Sequence, residues 1–356
     1  MPDWVPVIIL GAGNVGRALV KEIIQCRPLH TERLRVRLEV ITLSDRDGAV
    51  FEPAGLTDAQ LHDILNWKEA GRPLRQHELG AYQDDLVALV DIAGQDGAIV
   101  VDLTATAETI PALESALDRG YGAVTANKLP LAADLATFRR LVDHRRFRWE
   151  ATVGAGLPVI VTLTNLVNTG DAVQRIEGAL SGTLGYLSSQ LEAGQPFSDI
   201  VREAKRLGYT EPDPRQDLGG LDAARKALIM ARMIGYPLEL TDVSVESLYP
   251  AEMDTLSVDE FMAALPSLDE QYEVRVAEAR AAGHTLRYVA EVADGAARVG
   301  LQPLDPESRL ARVRSSDSIV IFHTERYSEN PLVVSGRGAG AYNTAAGVLG
   351  DILSLV

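Results

Sequence analysis

The chain has a single cysteine, Cys26, in 356 residues. An intrachain disulfide is therefore impossible, a thiolate metal site lacks its ligands, and a reducing, cytoplasmic setting is expected. Lysine is nearly as scarce. Of the 34 basic residues only those at 21, 68, 128, 205 and 226 are lysine, so each is weighed for chemistry that arginine cannot perform. The histidines at 30, 62, 77, 144, 284 and 323 show no His-Glu-x-x-His or other paired spacing, which gives no signal for a catalytic metal and casts them as structural or surface groups. The apolar run before Gly11 is too short for a signal peptide or a membrane span and lacks a basic start. No basic patch offsets the formal charge of -16, so nucleic acid and anionic membrane surfaces are unfavourable partners. Internal repeats and low-complexity tracts are also absent.

What is there reads as folded throughout. Hydrophobic residues at 46% and charged residues at 24% lie near ordinary globular values, and 356 residues favour two domains over one core. Residues 5–10 read as a buried strand that runs straight into Gly11-Ala12-Gly13-Asn14-Val15-Gly16 and a helical pattern over 15–25. A second strand pattern over 36–43 ends at Ser44 and Asp45, where a loop containing Gly and Pro is expected. Strands at 98–102 and 123–128 alternate with helical segments, notably 110–118, which predicts a parallel, doubly wound sheet. Near Glu150 the texture changes. Helices are expected at 158–168, 182–192, 197–207 and 221–234, and strands at 173–179, 286–292, 297–303, 318–323 and 332–334, so the second lobe is mixed α+β. A Gly-rich turn over 336–340 feeds a closing helix.

The glycine spacing matches a dinucleotide fingerprint, with Gly11 for the tight turn, Gly13 for close approach of a pyrophosphate and Gly16 for packing helix on strand. Such a turn also occurs in flavin and other nucleotide proteins, or by chance; its place between a strand and a helix favours nucleotide binding, with Gly11, Gly13, Asn14, Val15 and Gly16 as the cradle. Asp45 is placed to accept hydrogen bonds from the adenosine ribose, whereas Arg46 beside it would suit a 2′-phosphate, so NAD and NADP both stay open. Asp222 and Lys226 lie one helical turn apart, which alone is an exposed ion pair worth roughly a few tenths of a kcal/mol. Their helix turns apolar after them and follows a loop carrying Glu211, Asp213 and Asp217, which makes Lys226 a candidate proton-transfer group. Lys128, at a strand tip, is either a solvated strand end or a catalytic lysine, since parallel sheets bind ligands outside their carboxyl ends.

Seven ordered segments resemble the homoserine dehydrogenases, in particular their short monofunctional type, over nearly the whole chain. They are the glycine turn, Thr125-Ala126-Asn127-Lys128, EATVGAGLP from Glu150 to Pro158, Ser181-Gly182-Thr183, GYTEPDP from Gly208, GLDAARK from Gly220 and GAGAYNTAAG from Gly338. The resemblance implies a Rossmann-type NAD(P)-binding domain over 1–149, a catalytic and dimerisation domain over 150–335, and a C-terminal segment over 336–356 that packs back on the nucleotide domain. The implied reaction interconverts L-homoserine and L-aspartate 4-semialdehyde on the route to threonine, methionine and isoleucine. Lys226 then resembles the acid/base residue, with Asp222 and Glu211 holding the substrate's polar groups, Thr183 and Tyr209 lining its pocket and Lys128 as a second lysine. Thr104, Ala126, Lys128 and Gly340 fall where the family lines the nicotinamide half of the cofactor. Glu150, Val153, Ala155 and Leu157 match a structural monovalent-cation site, usually sodium, built mostly from backbone carbonyls. Ala105 departs from many members, which carry a hydroxyl there. The end at Val356 leaves no room for the regulatory domain of longer members, so allosteric feedback by threonine is not expected.

In the reductive direction the carbonyl oxygen gathers negative charge that a lysine ammonium can neutralise and protonate; the reverse asks for a lysine of lowered pKa, as burial or a neighbouring lysine provides. Two rivals fit less well. A phosphorylating semialdehyde dehydrogenase needs a cysteine nucleophile at the domain junction, and Cys26 falls in the first helix. A redox-silent dinucleotide sensor would keep the glycine turn without a lysine and carboxylate cluster. A homodimer is expected, with the alternating strands around Asp294 offering a sheet edge.

Overall fold

Runs of aliphatic residues without polar alternation make strands that must be covered on both faces. In the computed structural model, which describes residues 3–313 and 317–356, such runs form the middle of a seven-stranded sheet. Its strands are Asp3–Leu10 (β1), Val36–Asp45 (β2), Gly48–Phe51 (β3), Gly80–Ala81 (β4), Ile99–Asp102 (β5), Gly122–Thr125 (β6) and Phe147–Arg148 (β7), in the order β4-β3-β2-β1-β5-β6-β7. From β2 to β7 every pairing is parallel, while β3 and β4 add an antiparallel edge. Alternate residues serve opposite faces. Val5, Val7 and Ile9 join one core with Leu19, Val20 and Ile23 of helix Asn14–Arg33 and with Val348 and Ile352 of helix Ala341–Leu353. Ile8 and Leu10, equally buried, face the other way, where helices Leu86–Ala93 and Ile110–Asp118 pack on the sheet. This is the expected doubly wound plan, with the closing helix returned to the first sheet.

Two details differ from expectation. The first helix continues through Pro28 to Arg33, with His30 buried in its last turn. After β2 the chain makes a tight turn into β3 instead of a loop, because the Asp45 side chain accepts the N–H groups of Asp47 (2.9 Å) and Gly48 (3.1 Å) and so closes the turn.

The chain divides into Met1–Gly156 with Gly340–Val356, and Leu157–Ala339. The break falls after the expected 149/150 boundary because the Glu150 N–H donates to Asp351 Oδ2 at 2.7 Å, tying the segment after β7 to the closing helix. The second unit holds a six-stranded sheet of Val173–Ala179 (β8), Ser244–Val245 (β9), Thr285–Ala293 (β10), Ala296–Leu304 (β11), Asp317–Thr324 (β12) and Leu332–Arg337 (β13), ordered β13-β12-β8-β10-β11-β9. Asp294 (φ 51°) and Gly295 (φ 78°) are both left-handed, the conformation an Asp-Gly hairpin turn requires. The β10–β11 hairpin does not form the sheet edge, however. β9 pairs with β11 at Arg298 and Val299, so the outer strands are β13 and β9.

Helices Gly182–Glu192 and Leu221–Met233 pack on this sheet. Helices Val258–Ala264 and Asp269–Ala281 occupy a stretch with no clear periodic signal; the latter buries only Tyr272 and Ala279. Among the described residues no helix is long and apolar enough to cross a membrane.

Candidate functional site

The candidate residues are divided between the two units. In the first, β1 ends at Leu10 and helix Asn14–Arg33 begins at an N-cap, Gly13, that has no side-chain cap. Its first N–H groups therefore have no side-chain cap, and they stand at the positive end of the helix dipole, where an anion is favoured. A Cβ on Gly13 would meet nothing within 4 Å, so the approach is open, whereas one on Gly16 would stand 2.0 Å from the Gly11 carbonyl. The first glycine leaves room for a phosphate and the second lets the helix sit on the turn. These features fit a dinucleotide cradle.

Asp45 is not available as a ribose acceptor in this arrangement. Oδ1 accepts from Asp47 and Gly48, and Oδ2 accepts from Lys68 Nζ and from the Leu74 N–H at 2.9 Å. Burial works to raise its pKa, but the Lys68 bond and the backbone N–H bonds prevail and hold the carboxyl below its ordinary value. Arg46, at the turn's tip, has a side chain 93% exposed. Lys68 was the missed partner, and nothing in the 23-residue separation of the pair signals it.

The carboxyl ends of β5 and β6 carry Thr104, Ala126 and Lys128. Beneath them lies Asp102, fully buried and unassigned by sequence reasoning. Its Oδ1 accepts from the Thr104 N–H (3.0 Å) and Oγ1 (2.8 Å); its Oδ2 accepts from Thr109 Oγ1 (2.8 Å), Asn127 Nδ2 (3.1 Å) and Thr125 Oγ1 (3.3 Å). A charged residue closing an otherwise aliphatic strand was the available clue. Gly340, left-handed at φ 107°, caps the closing helix of this unit, and Ala105 is exposed.

Also in the first unit, Glu150 lies in a short 3-10 turn, followed by buried Val153 and by Gly154 and Ala155 with φ of 87° and 56°. A left-handed alanine is strained. Burial, first, and the Glu150 charge push the neighbouring Asp351 carboxyl up to about 7. Leu157 is the first residue of the other unit. Among the described residues no cluster of three or more His, Cys, Asp or Glu side chains is placed to hold a metal.

In the second unit, helix Leu221–Met233 starts at left-handed Gly220, where a Cβ would stand 2.0 Å from the Tyr288 hydroxyl. That close fit fixes the helix start. Lys226, one turn in, has a side chain only 12% exposed; its Nζ donates to the Leu180 carbonyl (2.7 Å) and pairs with Asp222 Oδ2 (2.8 Å). Thr183 Oγ1 lies 2.6 Å from the Tyr209 carbonyl and 3.1 Å from Asp217 Oδ1, while Asp217 Oδ2 accepts the Glu211 N–H at 2.8 Å. Burial, above all, and the charges of Glu211 and Asp222 push the Asp217 carboxyl up, so three acids share this locale. Asp217 is thus the hub between Thr183 and the Glu211 loop, a role its sequence position did not reveal. Asp213 instead binds Arg215, which braces the carbonyls of Met253, Asp254 and Leu256. Tyr209 packs edge-on against Tyr186 at 4.9 Å.

Residues 11–148 match the family described as homoserine dehydrogenase, NAD binding domain, and residues 158–353 match the homoserine dehydrogenase family. A homoserine dehydrogenase of Emericella nidulans is 37% identical, over 98% of this chain and 97% of that protein. The bifunctional aspartokinase/homoserine dehydrogenase 2, chloroplastic, of Zea mays is also 37% identical over 98% of this chain. The chain spans only 38 to 42% of the length of such bifunctional relatives. Among solved structures, a putative homoserine dehydrogenase from Archaeoglobus fulgidus is similar with a TM-score of 0.77 at 27% identity, over 98% of each chain.

Proposed function

This chain belongs to the homoserine dehydrogenase family, and we propose that it catalyses the NAD(P)-dependent interconversion of L-homoserine and L-aspartate 4-semialdehyde. What carries this is the Lys226 ammonium, held by Leu180 and Asp222 in the locale of Asp217 and Glu211. The first unit is assigned dinucleotide binding and the second substrate binding and dimerisation. When bound, the nicotinamide supplies or accepts the hydride. Lys226 directs two N–H bonds to protein acceptors, and the third is assigned to the reacting oxygen, which it protonates in one direction and deprotonates in the other. Glu211 and Asp222 pair with the substrate ammonium. Asp217 sets the pocket through Thr183 and the Glu211 backbone, with Tyr209 on its wall. Lys128, in the first unit, is the second lysine of the reaction. A steady-state assay with homoserine and each oxidised nicotinamide cofactor tests the proposal; absence of turnover with both would end it.

With Asp45 committed to its turn, the exposed Arg46 supports a 2′-phosphate and hence NADP as the better cofactor. Thr104, Ala126 and Gly340 are assigned to the nicotinamide half. A structural monovalent cation, sodium, is assigned to the carbonyls around Glu150, Val153, Ala155 and Leu157; the left-handed turn at Ala155 and the neighbouring Glu150 and Asp351 carboxyls support that reading. A homodimer forms through the second unit. Its sheet face opposite Tyr288 presents Arg175, Glu177, Glu291, Arg298 and His323, a set of both signs that can meet its own copy about a two-fold axis. Light scattering at the 38.4 kDa monomer mass would contradict it. The single cysteine supports a reducing, cytoplasmic setting.

A further inference from the structure

A buried carboxylate needs hydrogen-bond donors or a counter-ion, and Asp102 meets this need in an unusual way. It has no exposure, and its five hydrogen-bond partners are a backbone N–H, three threonine hydroxyls and an asparagine amide, none of them a cation. Burial pushes its carboxyl up, while the bonds from Thr104, Thr109 and Asn127 pull against the shift. Asp102 is the last residue of β5, level with Leu10 of β1 and Thr125 of β6, so it sits where three parallel strands end.

The partners come from both loops that leave this point. Thr104 and Thr109 belong to the β5 loop and the start of helix Ile110–Asp118. Thr109 stands at that helix's N-cap, a position where its hydroxyl ordinarily accepts a backbone N–H, yet it makes no cap bond and turns to Asp102 instead. Asn127 belongs to the β6 loop. Its amide also donates to the Thr106 carbonyl at 2.7 Å, and its Oδ1 accepts the Leu129 N–H at 3.0 Å, so it joins the β5 loop to the residue that follows Lys128. We propose that Asp102 is a positioning residue, tying to one carboxylate, through Thr104 and Asn127, the two loops that carry Thr104 and Lys128. The inference rests on the function proposed above, in which those two residues face the nicotinamide and the reacting groups. A dedicated buried charge is suited to this task, because charge-assisted bonds are stronger and more directional than neutral ones, and hydride transfer is sensitive to displacements on the order of 1 Å.

The test is Asp102→Asn, which keeps size and one acceptor but sets an amide N–H against the donors of Thr109 and Asn127. The expected result is kcat lowered on the order of 10- to 100-fold. Dinucleotide Kd and KM should stay within about threefold, because the Gly11 to Gly16 cradle is untouched. In a Lys128→Ala background the same change should add less than about threefold, since both act through one group. Asn127→Ala, which removes one tie and leaves the carboxylate with its other donors, repeats the measurement should Asp102→Asn fail to fold. Losses that multiply in the double variant, or a fall in kcat matched by falls in melting temperature and dinucleotide affinity, would show a merely structural role and overturn the proposal. If the wild-type protein does not oxidise homoserine, the function proposed above fails by itself. Positioning is then read from the fluorescence of bound reduced dinucleotide, which Asp102→Asn should shift at unchanged affinity; unshifted emission overturns it.

Discussion

Replacing Lys226 by alanine isolates the proton-transfer group from the fold. The side chain is 12% exposed and makes two polar contacts, to the Leu180 carbonyl and to Asp222. Losing them strands one carbonyl, at about 1 kcal/mol. The Asp222 side chain, 45% exposed, regains water. A domain stable by roughly 5–15 kcal/mol survives that. The catalytic loss should be far larger. A positioned acid/base group contributes about 10²- to 10⁴-fold, or about 3–5 kcal/mol at the transition state. Lys226→Ala should therefore lower kcat with homoserine by that factor and leave dinucleotide Kd, read by fluorescence titration in the same preparation, within about twofold. A small primary amine added to the assay should restore part of the rate, because it supplies the missing ammonium. Turnover within about threefold of the parent protein would refute the assignment, and a parallel loss of dinucleotide affinity and melting temperature would show that Lys226 is a structural group.

Asp217→Ala should raise the KM for homoserine on the order of tenfold and lower kcat less, since it releases Thr183 and the Glu211 backbone without removing the proton-transfer group; an unchanged KM would leave Asp217 a loop residue. Arg46→Ala should raise the KM for NADPH about tenfold and spare that for NADH, so equal changes for both would dismiss the 2′-phosphate contact. Lys68→Met should destabilise the first unit by about 1–3 kcal/mol by leaving the Asp45 carboxylate without its cation. Because the Asp45 pKa is held below its ordinary value, its contribution is fully present above the ordinary carboxylate range and is lost as pH falls through the folded value. The gap in melting temperature between Lys68→Met and the parent should therefore be widest near neutrality and narrow only as pH is taken below about 4; a gap independent of pH would exclude this origin.

The sequence by itself determined whatever depends on near neighbours. The aliphatic runs of β1 and β5 read as buried strands, and Gly11, Gly13 and Gly16, set between a strand and a helix, read as a tight turn, because period and backbone freedom are written locally. The Asp294-Gly295 hairpin and the one-turn spacing of Asp222 and Lys226 were legible for the same reason. Long-range decisions belong to the tertiary structure. Asp45 ends its strand as expected of a ribose ligand, but whether its oxygens are free depends on Lys68, 23 residues away, folding back to meet it. Asp217 is one acid among several in its loop until the fold brings Thr183, 34 residues earlier, to its carboxylate. Asp102 reads as a strand's polar end, and only the alignment of three parallel strands surrounds it with Thr104, Thr109, Thr125 and Asn127. Hydrogen bonding is short-ranged and directional, so which polar groups satisfy one another is settled by which strands and helices come to lie side by side.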